Sequence, residues 1–199
     1  MEKVLLLGVM LCCFNDVSAV MHSWKAFNTA STGLSEFPEF VVVNMMDDEE
    51  TGRFDSRTSH FQYRQKWMEV NLGQDYVKQQ TDILKSNMRV FKANVKTAME
   101  RFNQSGGVHV LQRMCGCEWD DETGITDVFN HYGYDGEDFL VFDLKNTRWI
   151  SPSPQGVSTA HIWNNNPVRL EYSKSYLTQE CIESLKKYVS YRRSTPERT

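Results

Sequence analysis

Thiols are the first residues in this chain with chemistry to offer. Cys115 and Cys117 flank Gly116, and Cys181 follows far downstream. Cys12 and Cys13 belong to a leader: Met1-Glu2-Lys3 carries one Lys, Val4 to Phe14 is apolar, and Val17-Ser18-Ala19 has the small-residue pattern of a signal-peptidase site. Cleavage before Val20 sends the rest into an oxidising compartment, where cysteines read as disulfide candidates. With three thiols left, one pair can form. Cys115 and Cys117 share a face if that segment is a strand, so a bond from Cys181 staples a helix onto a sheet. Its loop of roughly sixty residues constrains the unfolded chain by about 4 kcal/mol. The alternative is three unpaired buried thiols.

Other chemistry finds less support. The histidines His22, His60, His109, His131 and His161 are scattered, with no zinc-finger or metalloprotease spacing. A Cys115–His nucleophile and base lacks any flanking signature, so no enzyme, metal or cofactor is expected. Asp47-Asp48-Glu49-Glu50 reads as a hairpin turn on a solvated edge, and Asp135 to Asp143 lacks calcium-loop spacing. Asn103-Gln104-Ser105 is a glycosylation sequon beside a Gly-Gly loop. A net charge of -4 without a basic stripe asks for neither nucleic acid nor an acidic membrane surface. No apolar run of membrane-spanning length follows the leader. The polar end Arg192 to Thr199 suits a product soluble as written, or a fragment whose anchor lies further on.

The elements that must position these residues form two similar halves, about 20–106 and 107–199. In the first, strands are expected over His22 to Thr32, Glu39 to Met46, Thr51 to Ser56 and His60 to Trp67. A helix follows from about Asp75 to Phe102, because Leu84, Met88, Phe91, Val95, Met99 and Phe102 recur every three or four residues. Ser105-Gly106-Gly107 stops it. In the second, Val108 to Glu118, Ile125 to Tyr134, Phe139 to Leu144 and Arg148 to Ile150 are strands, with Asp135-Gly136 a tight hairpin. A broken helical stretch runs from about Gln155 to Tyr191, with Pro167 a kink. Its inward face is Leu177, Cys181, Ile182, Leu185 and Tyr188. Four strands and a helix used twice make an α+β fold: an eight-stranded antiparallel sheet with two long helices across one face and a groove between them.

The runs Arg101-Phe102-Asn103-Gln104-Ser105-Gly106-Gly107, Gln112-Arg113-Met114-Cys115-Gly116-Cys117-Glu118-Trp119 and Tyr132-Gly133-Tyr134-Asp135-Gly136-Glu137-Asp138-Phe139, with the helix from Cys181 to Tyr188, resemble one family. It is the peptide-binding platform of major histocompatibility complex class I heavy chains, in wording closest to those of bony fishes. The likeness covers Val20 to Thr199 and stops where that family's immunoglobulin-like domain and transmembrane helix begin. It implies that the cysteine after Gly116, Cys117, pairs with Cys181.

A site for many peptides must hold what all peptides share: the amine, the carboxylate and the backbone. Tyrosine hydroxyls suit the amine and cations the carboxylate. By resemblance, Tyr76, Tyr176 and Tyr188 are three of the family's four amine-end tyrosines, and Ala26 replaces the fourth. At the carboxylate end Arg101, Thr159 and Trp163 match, while Ile162 replaces a lysine. Cys115 stands for a floor tyrosine and Ser184 for a covering tryptophan. These losses make an unconventional ligand, or an empty groove, the alternative to peptide.

Strand parity turns Ala26, Asn28, Phe40, Val42, Leu111, Arg113, Cys115, Asn130 and Tyr132 into the groove floor. Arg113 and two asparagines suit peptide better than lipid. Val41, Val43, Phe27, Gln112 and Asp138 point the other way, leaving apolar area that asks for a partner. The resemblance names beta-2-microglobulin, with Phe27, Gln112, Gly136 and Asp138 as contacts. T-cell or natural-killer-type receptors would meet the helices, at the cell surface or in the extracellular space.

Overall fold

The computed structural model describes residues 20–195. The expected leader, Met1 to Ala19, lies outside the described residues. Strands β1 (Met21–Thr32), β2 (Phe40–Met46), β3 (Glu49–Asp55) and β4 (Phe61–Tyr63) precede helix α1 (Lys66–Arg101). Strands β5 (His109–Asp120), β6 (Thr126–Tyr134), β7 (Glu137–Asp143) and β8 (Arg148–Ile150) precede α2 (Val157–Asn164), α3 (Pro167–Ser175) and α4 (Cys181–Ser194). All eight strands form one antiparallel sheet in the order β4-β3-β2-β1-β5-β6-β7-β8. The expected architecture is present.

Two hairpins close on two-residue turns whose central residues all have positive φ, Asp47 (49°) and Asp48 (63°), then Asp135 (51°) and Gly136 (91°). This geometry matches the twist of the flanking strands. The acidic run is more than a solvated turn, because Asp47 accepts from the Ser23 amide and pairs with His22, while Glu49 pairs with Arg192. Asp135 likewise holds His109 and the Val110 amide. Gly116 is glycine for want of room: a Cβ there would lie 2.2 Å from the Trp24 carbonyl oxygen and 2.7 Å from the Phe129 ring.

The helices cover one face with a continuous core of Phe40, Phe54, Phe61, Val77, Leu84, Phe91, Val95 and Leu140. Each fully buried side chain of this size contributes roughly 1.5–3 kcal/mol. A second cluster around Met46, Trp67, Ile182 and Leu185 encloses the Cys117–Cys181 disulfide, whose Cα atoms are 6.1 Å apart. Cys115 is buried and free.

Three expectations need correction. The strand expected over His60 to Trp67 is only Phe61–Tyr63, and α1 begins at Lys66 instead of Asp75. Aromatic residues gave this segment a strand-like composition, but Trp67 and Met68 turn into the core on a helical turn. Gly73 (φ 67°) then interrupts α1, which hid the periodicity. Pro167 does more than kink the second helical layer. It opens a new helix, with the Asn166 side chain accepting from the Arg169 amide at 3.0 Å, after α2 has ended at Asn164.

Candidate functional site

The groove lies between α1 on one side and α2–α4 on the other. Successive rows of floor residues come from strand register. Asn28 stands between Val42 and Arg113, and in the next row Ala26 stands between Asn44 and Cys115. Small Ala26 and Cys115 leave a hollow under one end of the groove. It is a cavity of about 390 Å³, lined also by Asn28, Asn44, Arg113 and Ser184.

Tyrosines gather at that end. The Tyr76 and Tyr188 hydroxyls are 3.0 Å apart, and Tyr63 stacks on Tyr76 at 6.0 Å. The Tyr63 hydroxyl donates to the Gly73 carbonyl at 2.7 Å, fixing the break in α1 that brings Tyr76 inward. Burial pushes the Tyr76, Tyr176 and Tyr188 phenols up from their ordinary value, and Tyr63 is pushed up to about 12 chiefly by burial. All four therefore stay protonated at physiological pH. The Tyr63 proton is committed to Gly73 and one proton to the Tyr76–Tyr188 pair, so the other hydroxyl of that pair and that of Tyr176 keep a proton to give, and each oxygen can still accept.

The other end is a cavity of about 170 Å³ lined by Arg101, Thr159, Ile162, Trp163, Tyr132 and Leu111, among others. Arg101 donates to the Ser158 hydroxyl. Trp163 is held edge-on by Tyr132 and Trp149, and the Arg169 guanidinium covers its ring at 4.6 Å. Ile162 is 56% exposed at the rim of this cavity.

The structure thus brings Tyr76, Tyr176, Tyr188, Arg113 and Cys115 around the larger cavity, and Arg101, Thr159, Trp163 and Tyr132 around the smaller. Asn103 is exposed at the end of α1, outside the groove. Phe27 and Gln112 alternate with floor residues and so occupy the opposite face, while Gly136 and Asp138 are exposed at the β6–β7 hairpin. Sequence reading missed Asn44 and Tyr63. Extending the parity of Phe40 and Val42 by one step would have found Asn44. Tyr63 needed the tertiary bond to Gly73.

A family model described as class I histocompatibility antigen, domains alpha 1 and 2, matches residues 20–196. The chain belongs to the class I histocompatibility antigen family. Mouse major histocompatibility complex class I-related protein 1 is 35% identical over 179 residues, 89% of this chain and 52% of that protein. Its bovine counterpart is 32% identical over 201 residues, 98% of this chain and 58% of that protein. The mouse H-2 class I histocompatibility antigen K-K alpha chain is 33% identical over 183 residues, 89% and 49% respectively. The class I chain therefore spans about half the length of these curated relatives. The groove, its two end cavities and its helical walls all lie within the matched segment.

Proposed function

We propose that this chain is the antigen-binding platform of a class I molecule and displays short peptides to immune receptors. The observation that carries the reading is the division of labour along the groove. Buried, protonated tyrosine hydroxyls close one end, and a cation with a threonine hydroxyl and an indole closes the other. Such ends suit the amine and carboxylate that all peptides share.

Three features support the rest of this reading. Phe27, Val43, Met45, Met114 and Phe129 lie on the sheet face away from the helices, with Met114 37% exposed, and this surface suits a light chain of the beta-2-microglobulin type. Asn103 is exposed and open to glycan transfer, consistent with a secretory route to the cell surface. No helix among the described residues is long and apolar enough to cross a membrane, so membrane attachment would come from a further segment. No catalytic role is proposed, and no histidine lines the cavity that holds Cys115.

The test is acid elution of the chain purified with its light chain, followed by mass spectrometry. A set of short peptides of narrow length range supports display. An eluate without peptides, or with another ligand, overturns it.

A further inference from the structure

In the floor of the larger cavity one cation stands without an anion. Arg113 Nε donates to Asn130 Oδ1 at 2.8 Å, and the guanidinium sits 5.7 Å from the centre of the Tyr132 ring. Among the described residues its two terminal nitrogens have neither a hydrogen-bond nor an ion-pair partner. Glu180 is the one acidic residue lining this cavity, and it is exposed and unpaired with Arg113.

Two carboxamides share the floor. Asn28 is 4% exposed and Asn44 8%, both line the cavity, and neither side chain has a hydrogen-bond partner among the described residues. The amide atoms open onto the cavity, since Trp149 Nε1 is the one fully enclosed side-chain polar atom without a partner among the described residues, so two free amides beside an unpaired guanidinium present donors to whatever enters. A group that engages all of them accepts from several donors at once and carries negative charge. A carboxylate does both, with two oxygens and about four acceptor sites. An amide or hydroxyl would meet the asparagines and leave the charge unanswered. The hollow over Ala26 and Cys115 gives such a group its way in.

Building on the peptide-display reading, we infer that the larger cavity is an acid-selective pocket. It takes an Asp or Glu side chain of the displayed peptide, with Arg113 setting specificity and Asn28 and Asn44 as supporting donors. A free organic acid would present the same group, and the experiment separates the two sources.

The chain, expressed with its light chain, is measured for binding of nonapeptides that differ only by Glu or Gln at each of the first five positions. At one position Glu binds at least tenfold tighter than Gln, about 1.4 kcal/mol. The Glu/Gln ratio falls to near one in Arg113→Gln and is partly kept in Arg113→Lys. A ratio near one at every position in the unaltered chain overturns the pocket, and needs no variant to fold. Elution distinguishes the two readings. Peptides without acidic enrichment overturn the pocket and leave display standing. No peptide at all overturns display. A small organic acid in place of peptide, lost in Arg113→Gln, supports the carboxylate contact and overturns the peptide as its source.

Discussion

On the peptide-display reading, supplying a hydroxyl at one groove end and a charge at the other, through Ala26→Tyr and Ile162→Lys, should raise affinity for free-ended peptides. Ala26 lines the same cavity as Tyr76 and Tyr188, and the hollow above it gives an aromatic ring somewhere to go. Its hydroxyl adds one neutral hydrogen bond to the peptide amine end, worth about 1 kcal/mol. Ile162 is exposed on α2 and lines the smaller cavity with Arg101. A lysine there adds a charge-assisted bond to the carboxylate, worth about 1.5–3 kcal/mol. The sites occupy separate cavities at opposite ends, so the effects should add to roughly 2 to 4 kcal/mol.

Peptide-dependent thermal stability reports the gain, because a ligand that binds only the folded state raises the melting temperature. At saturating peptide, each kcal/mol corresponds to about 2–4 °C for a domain of this size. Terminal modification then assigns the gain to its cause. N-acetylation should remove only the Tyr contribution, and C-terminal amidation only the Lys contribution. If neither substitution changes peptide-dependent stability, or if the gains survive blocking of both termini, the assignment of the groove ends is wrong.

Further outcomes are expected elsewhere in the molecule. Cys117→Ser removes a cross-link spanning 64 residues and should cost about 4 kcal/mol, while non-reducing peptide mapping of the unaltered chain should show Cys117 bonded to Cys181 and Cys115 alkylated only after unfolding. Gln112→Ala or Asp138→Ala should weaken co-precipitation with beta-2-microglobulin, and undiminished pairing would mean that the lower face has been misread. His109 has its pKa raised chiefly by the Asp135 hydrogen bond, and its other nitrogen faces the Gly106 carbonyl. A raised folded-state pKa stabilises fully below the unfolded value of about 6.5 and loses that contribution as pH rises through the folded value. The melting-temperature gap between the unaltered chain and His109→Asn should therefore be larger at pH 5.5 than at pH 8.5, and a gap that widens with pH would refute the assignment.

What could be read before folding was whatever has a local period. Alternation along β1 and β5 placed Ala26, Asn28, Arg113 and Cys115 on one face, and the spacing from Leu84 to Phe102 placed α1 over them. The start of α1 was hidden because its signals are tertiary. Gln65 makes no side-chain cap, and Gly73 breaks the period. At that break the Gly73 carbonyl accepts from the Tyr63 hydroxyl, a bond between a strand and a helix. The break between α2 and α3 was half visible: Pro167 marked it, but the Asn166 cap that turns a kink into a fresh start depends on φ and ψ at one residue.

The same distinction separates the parts of the groove. Its end residues were named through the family resemblance, position by position along single elements. The unpaired donors of the floor were not, because they belong to different strands: Asn28 on β1, Asn44 on β2 and Arg113 on β5 meet only when register sets them side by side. Their shared lack of an acceptor exists only in three dimensions. A terminus-binding site can therefore be carried by single residues, whereas selectivity for one side chain has to be assembled across the sheet. If the groove holds peptide, the lack of a hydroxyl at Ala26 and of a charge at Ile162 weakens what every peptide can use, and the guanidinium of Arg113, without an ion-pair partner, then favours the peptides that bring a carboxylate. On this reading the chain binds fewer peptides than a fully equipped platform would, and the acidic ones among them best.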